Sequence, residues 1–153
     1  MDEMIDRTDG RAVPMHLWVV GLLALVWNGF GGYDYLMTRM RNTDYLSQMG
    51  MDPNELLAYI DSYPIWAQAG WGLGVWMGVL GAILLLMRNR YAVHSFMLSL
   101  VGMVLSFGYQ YLGPPAPPEM THGPMWWMPL VIFLVGVGLF LYARQMRIKG
   151  VLR

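Results

Sequence analysis

The chain contains no cysteine. This absence excludes disulfide bonds, thiolate nucleophiles and thiolate metal sites, and it leaves the redox compartment open. Charge is also scarce, because Asp, Glu, Lys and Arg make up 13% of the residues and balance to a net charge of zero. Soluble domains carry about twice that share of charge. Without a basic surplus, nucleic-acid binding has no electrostatic basis.

Long apolar segments take the place of charge. They cover residues 14–37, 64–87, 91–112 and 124–144. About 20 apolar residues cross the hydrocarbon core of a bilayer as a helix, and none of the four segments shows the polar stripe of a soluble helix. The sequence predicts an all-α membrane protein, with four transmembrane helices in an antiparallel bundle. Residues 1–153 are expected to form a single membrane domain.

Basic residues are distributed unevenly along this topology. Four spans place both termini on the same side as the turn 88–90, and this side holds all the Lys and Arg residues except Arg39 and Arg41: Arg7, Arg11, Arg88, Arg90, Arg144, Arg147, Lys149 and Arg153. An excess of basic residues marks the cytoplasmic side. We therefore expect a multi-pass protein with both termini in the cytoplasm.

Two connections lie on the opposite, outer side. In the first, over residues 38–63, Asp52, Pro53 and Glu55 form a typical helix start. The apolar residues after them predict a short amphipathic helix that lies on the outer membrane surface or caps the bundle. The second connection, residues 113–123, is rich in proline, which predicts an extended loop.

Small residues follow one another at four-residue spacing in the second span: Gly70, Gly74, Gly78 and Ala82. Close approach of membrane helices depends on such residues. They predict a helix-packing face, with two alternatives open. The face packs within the bundle, or it contacts another protomer or a larger membrane complex.

Polar and aromatic residues collect near the outer ends of the spans, and six of them are candidate ligand-binding residues: Trp27, Asn28, Asp34, Gln68, Trp71 and Gln110. One interpretation is an aromatic belt at the headgroup level. The other is an outward-opening pocket, because amides and carboxylates within a span often mark function. Three glycines precede Asp34 and allow the helix to bend or unwind there. Asp34 could bind a cation or exchange a proton, or it could pair with Arg39 or Arg41.

Chemistry of other kinds has little support. His16 and His94 lie at similar depth, so a haem between facing helices is a remote alternative. No phosphate-binding loop, nucleophile elbow or zinc signature occurs. We therefore predict no cofactor, no metal site and no enzymatic activity.

The segment from Trp27 to Thr38, reading WNGFGGYDYLMT, is followed by Arg41, Asn42 and Tyr45. It resembles a group of small four-helix bacterial inner-membrane proteins, which are labelled hypothetical proteins or sugar transporters. The similarity extends over most of the chain. It implies a Gram-negative inner membrane, with the outer side facing the periplasm, and it supplies no catalytic residues.

Three functions are open at this point. The first is a non-enzymatic accessory or interaction subunit of a membrane assembly. It would contact the lipid bilayer and other membrane helices, which belong to further copies of this chain or to a larger complex. The second is a small-solute transporter or binding protein for sugar-like ligands, which would need to oligomerise because four spans are few for a transport path. The third is a haem or quinone redox subunit.

Overall fold

A computed structural model describes residues 13–153, and this part of the chain is helical with no strand. The helices are α1 (Met15–Arg39), α2 (Thr43–Gln48), α3 (Pro53–Asp61), α4 (Ile65–Leu86), α5 (Ala92–Leu112), α6 (Pro118–Thr121) and α7 (Pro124–Ile148). By length and composition, α1, α4, α5 and α7 can each cross a membrane. The predicted all-α class with four membrane-spanning helices is confirmed to this extent.

Proline and asparagine or aspartate set the helix starts. Pro14 and Pro64 precede α1 and α4, and Pro124 is the first residue of α7, where a missing N–H leaves no helical hydrogen bond unmade. Asp52 caps α3 by accepting from the backbone N–H of Asn54 at 2.8 Å. Asn42 caps α2 in the same way, accepting from the backbone N–H of Tyr45 at 3.0 Å. The α3 start was predicted, whereas α2 was not.

Two local expectations need correction. The glycines before Asp34 do not unwind α1, which is helical from Met15 to Arg39. An unwound turn would leave backbone N–H and C=O groups without partners, and lipid cannot supply them. The proline-rich connection is also not wholly extended, because Pro117 and Pro118 start the short helix α6.

The four long helices share a core at one end, which we call the turn end. It is the end where α1 and α5 begin and where α4 and α7 finish. Its buried residues come from all four helices and from the segment after α7: Leu17, Ala24, Ala82, Leu85, Ala92, Val93, Phe96, Ala143, Met146, Val151 and Leu152. The segment after α7 is held by backbone hydrogen bonds to the α4–α5 turn, from Arg90 N–H to Arg153 O at 2.9 Å and from Arg153 N–H to Arg88 O at 2.8 Å.

The opposite end, which we call the loop end, carries α2, α3 and α6. Here Tyr59 and Tyr63 from the α3 region and Ala67 from α4 are buried together, with Tyr109 of α5 packed against them. The Tyr109 hydroxyl donates to the backbone oxygen of Ser62 at 3.2 Å. Aromatic and apolar side chains therefore pack α3 against the start of α4 and the end of α5.

Helices α4 and α5 approach most closely through glycine. A Cβ on Gly102 would lie 2.5 Å from the Gly70 carbonyl oxygen and 2.8 Å from the Gly74 Cα, far inside ordinary contact. Ser99 strengthens the crossing, because its hydroxyl donates to the Gly74 carbonyl oxygen at 2.6 Å. Ser95 makes a similar bond to the Met77 carbonyl oxygen at 2.8 Å. Gly70 and Gly74 of the predicted glycine face thus lie against α5 of the same chain, and Gly78 lies beside Asn28 of α1.

Candidate functional site

The loop end of α1 is joined to α2 by Asp34 and Tyr45. The Tyr45 hydroxyl donates to Asp34 Oδ1 at 2.8 Å, and the Thr38 hydroxyl donates to the Asp34 backbone oxygen at 2.8 Å. Asn42 orients Tyr45 by capping its helix. These three hydrogen bonds are all made within the chain. The bond from Tyr45 to Asp34 joins α2 to the end of α1.

Neither arginine of the loop end reaches Asp34 in this structure. Arg41 lies in a left-handed turn at φ 55°, and its Nη2 atom donates to both carboxylate oxygens of Asp61 at 2.8 Å. Arg39 donates from Nη1 to Gln68 Oε1 at 3.1 Å. The alternative in which Asp34 pairs with Arg39 or Arg41 is not what the structure shows, because the turn after α1 directs Arg41 towards α3.

A small cavity lies between these polar groups, with a volume of about 160 Å³. Its lining comes from the end of α1 with the residues after it, from α3 and from the start of α4: Thr38, Arg39, Arg41, Leu57, Ile60, Asp61 and Gln68. Gln68 is fixed at its edge, because its amide nitrogen donates to the Tyr63 carbonyl oxygen at 2.9 Å. Gln68 is the one residue that this lining shares with the predicted ligand-binding set.

The other predicted residues have separate environments. Trp27 is exposed, at 41%. Trp71 packs edge-on against Tyr35, with ring centroids 4.7 Å apart. Gln110 is half-buried near the end of α5.

Asn28 lies deeper, against α4. Its amide nitrogen donates to the Ala24 carbonyl oxygen at 2.8 Å. Its amide oxygen occupies the space that a side chain at Gly78 would need. Asn28 therefore fits into the hollow left by Gly78, and the predicted set does not surround one shared cavity.

Sequence reasoning missed two partners. Tyr45 is the partner of Asp34, and Asp61 is the partner of Arg41. Asn is a preferred N-cap residue, so Asn42 could have placed Tyr45 in the first turn of a helix after α1. No sequence signal identifies Asp61, because its pairing depends on how α3 folds over α1.

The surroundings of Tyr45 also alter its acidity. Burial and the hydrogen bond to Asp34 raise the pKa of the Tyr45 hydroxyl to about 12. Its proton is therefore retained through the neutral and mildly alkaline range, and Tyr45 remains a donor to Asp34 there.

The two histidines considered as haem ligands have other neighbours. His16 Nδ1 lies 2.6 Å from the Tyr142 hydroxyl, and the His94 ring lies beside Tyr91, with centroids 5.8 Å apart. Across residues 13–153, no group of three or more His, Cys, Asp or Glu residues is placed to hold a metal ion.

These features describe a helical protein with four helices long and apolar enough to cross a membrane, which is consistent with a multi-pass membrane protein. Polar residues at the loop end are joined by local hydrogen bonds. Comparisons with protein-family models, with curated proteins and with solved structures find no match to this chain.

Proposed function

We propose that this chain is a non-enzymatic interaction subunit of the bacterial inner membrane, which associates with other membrane helices. The supporting observation is a difference between two groups of glycines in the spans. Gly70, Gly74 and Gly102 lie against a neighbouring helix of the chain. Gly29, Gly31, Gly108 and Gly138 have nothing within 4 Å of the position that a Cβ would take, among the residues the structure describes.

An outward-facing glycine in a span leaves a shallow groove in the helix surface. Lipid tails pack against Leu as well as against Gly, so a groove contributes nothing to lipid contact, whereas small residues let two helix backbones approach. Gly138 is the clearest case. It lies in the middle of α7 on an exposed face with Leu134 and Leu141, which are 59% and 51% exposed.

The proposed topology is an antiparallel bundle with both termini in the cytoplasm. It is supported by the contacts that bring the start of α1, the α4–α5 turn and the segment after α7 to the turn end. The described basic residues other than Arg39 and Arg41 lie at or near that end, which favours the cytoplasm. Arg7 and Arg11, which entered the sequence count, lie outside the described residues. Helices α2 and α3, which we call the α2–α3 layer, then face the periplasm.

Transport of a sugar-like solute is the alternative, and the loop-end cavity is the observation in its favour. Its volume of about 160 Å³ is below the range of about 300–1,000 Å³ typical of small-molecule pockets. The cavity also lies at the helix ends, whereas α4 and α5 are in backbone contact along their crossing. These two features make the interaction subunit the better-supported proposal.

A substitution at Gly138 tests the proposal. Gly138→Leu places a side chain in the groove on α7, where no described atom lies within 4 Å of the Cβ position. The purified variant should melt at or slightly above the wild-type temperature, because Leu has a higher helix propensity than Gly by about 1 kcal/mol. In native membranes, however, Gly138→Leu should release the chain from its assembly. The measurement is the mass of the particle extracted in lipid nanodiscs.

Gly138→Ala is the matched control, because it keeps the residue small and should retain the assembly. If the wild-type chain is extracted as a lone protomer, the proposed function is wrong. If an assembly exists and Gly138→Leu leaves it intact, the glycine argument fails.

A further inference from the structure

We infer that the loop-end cavity binds a phosphate-type anion, and that a phospholipid headgroup is its natural source. The inference goes beyond an interaction subunit, because it assigns a ligand chemistry to a specific set of side chains. It rests on the proposed topology in two places, in the choice between a lipid and a soluble anion and in the significance of two arginines on the outer side.

Unused hydrogen-bond donors are the first argument. Arg39 uses Nη1 for its bond to Gln68, and Arg41 uses Nη2 for its bonds to Asp61. Within residues 13–153, these bonds leave two nitrogens of each guanidinium for a ligand. Each guanidinium carries five N–H donors and no acceptor, so the cavity has a surplus of donors.

Charge is the second argument. The cavity is lined by two guanidinium groups and one carboxylate, that of Asp61, which leaves one positive charge. A phosphodiester carries one negative charge and would balance it. Arginine is suited to this role, because its planar fork matches the oxygens of phosphate in a bidentate geometry.

Size and position are the third argument. About 160 Å³ is small for a sugar-like solute in a closed pocket, but a tetrahedral anion is compact. Leu57 and Ile60 give the cavity an apolar wall beside the two arginines. The site lies where α1 ends and α4 begins, which in a four-span protein is the level of the headgroups. A phosphodiester with an acyl-bearing glycerol meets both the polar and the apolar parts of this lining.

Location also distinguishes Arg39 and Arg41 from the other basic residues. Among residues 13–153, they are the only Lys or Arg residues at the loop end, and both line this one cavity. Basic residues are disfavoured on the outer side of an inner membrane, so their placement together at one cavity needs a local reason. Asp61 accounts for Arg41, whereas Arg39 has a neutral amide as its partner.

The test uses the purified full chain in a neutral maltoside detergent, with thermal unfolding followed by tryptophan fluorescence. Two probes are titrated separately. Inorganic phosphate is compared with chloride at equal ionic strength, and dioctanoyl phosphatidylglycerol is compared with dioctanoylglycerol, which has the same acyl chains and lacks the phosphate. We expect the phosphatidylglycerol to raise the melting temperature and dioctanoylglycerol to leave it unchanged.

Arg39→Gln should weaken the binding of the active probe by about tenfold or more, because a charge-assisted hydrogen bond is lost. Gln68→Glu is the second variant, since it places a carboxylate at the cavity and should weaken binding by repulsion. Arg144→Gln is the matched control near the turn end, and it should bind as the wild type does.

The outcomes separate the sources. A response to phosphatidylglycerol alone supports a lipid headgroup, and a response to inorganic phosphate supports the anion site with a soluble ligand. Wild-type binding in both Arg39→Gln and Gln68→Glu overturns the site. If neither probe changes the melting temperature, the site is also overturned. This result is independent of the proposed interaction subunit, which is tested by the mass of the extracted particle.

Discussion

Gly102 is the position at which the packing of α4 against α5 can be tested most sharply. A single methyl group at Gly102 would lie 2.5 Å from the Gly70 carbonyl oxygen and 2.8 Å from the Gly74 Cα, whereas ordinary contacts begin at 3.4 Å. The neighbouring atoms belong to the backbone, so no side chain can rotate away. Gly102→Ala therefore requires the two helices to separate by roughly 1 Å.

The expected loss of stability follows from three contributions. Overpacking of a filled interface costs about 1–3 kcal/mol. Separation also weakens the bond of 2.6 Å from the Ser99 hydroxyl to the Gly74 carbonyl oxygen, which is worth about 1 kcal/mol. Replacing Gly by Ala in a helix returns about 1 kcal/mol. The net destabilisation should be about 1–3 kcal/mol.

Gly108→Ala is the matched control on the same helix, because a Cβ there has nothing within 4 Å among the described residues. It should gain up to about 1 kcal/mol from helix propensity alone. The assay is reversible unfolding in detergent, and the two alanine variants should shift in opposite directions. If Gly102→Ala is as stable as Gly108→Ala, the helices do not cross at these glycines and the packing account is refuted.

The remaining predictions concern the loop end. Tyr45→Phe and Asp34→Asn should each lower the free energy of unfolding. The double variant should lose about 1–3 kcal/mol less than the sum of the two single losses, because the two side chains share one hydrogen bond. Additive losses would contradict the contact. The pKa of Tyr45 is raised to about 12 from 10.0, so its stabilising effect is complete below pH 10 and is lost as the pH rises towards 12. Tyr45→Phe should therefore lose less stability than the wild type over that interval, and equal slopes would contradict the prediction. Asp61→Asn should cost at most about 1 kcal/mol, because the Arg41–Asp61 pair is more than half exposed; a much larger loss in thermal unfolding would show that the pair is buried in the native assembly.

The helix content and the four helices long enough to cross a membrane could be predicted from sequence because both follow from local properties. A run of about 20 apolar residues leaves a chain in lipid few options other than a helix, and the Asp52–Glu55 start of α3 is also encoded locally. The same requirement explains the error at the glycines before Asp34. Their backbone freedom suggested an interruption, but the need to pair every N–H and C=O group favours a continuous helix.

The arrangement at the loop end could not be predicted in the same way. Asp34 meets Tyr45, and Arg41 meets Asp61, only because α2 and α3 fold back over the end of α1. The sequence places Asp34 on the same outer surface as Arg39 and Arg41, and a shared surface alone does not define contacts. The hollow at Gly78 that receives Asn28 likewise depends on the packing of α1 against α4.

The central claim is that four spans place the α2–α3 layer and the turn end on opposite sides of the inner membrane. Single cysteines test it cleanly, since the chain has none of its own. Asn54→Cys on α3 and Gln145→Cys near the end of α7 introduce exposed thiols at the two ends. A maleimide that cannot cross the inner membrane should label Asn54→Cys in cells with a permeable outer membrane, and should label Gln145→Cys only after the inner membrane is disrupted. Labelling of both positions before disruption, or of Gln145→Cys alone, would contradict the account.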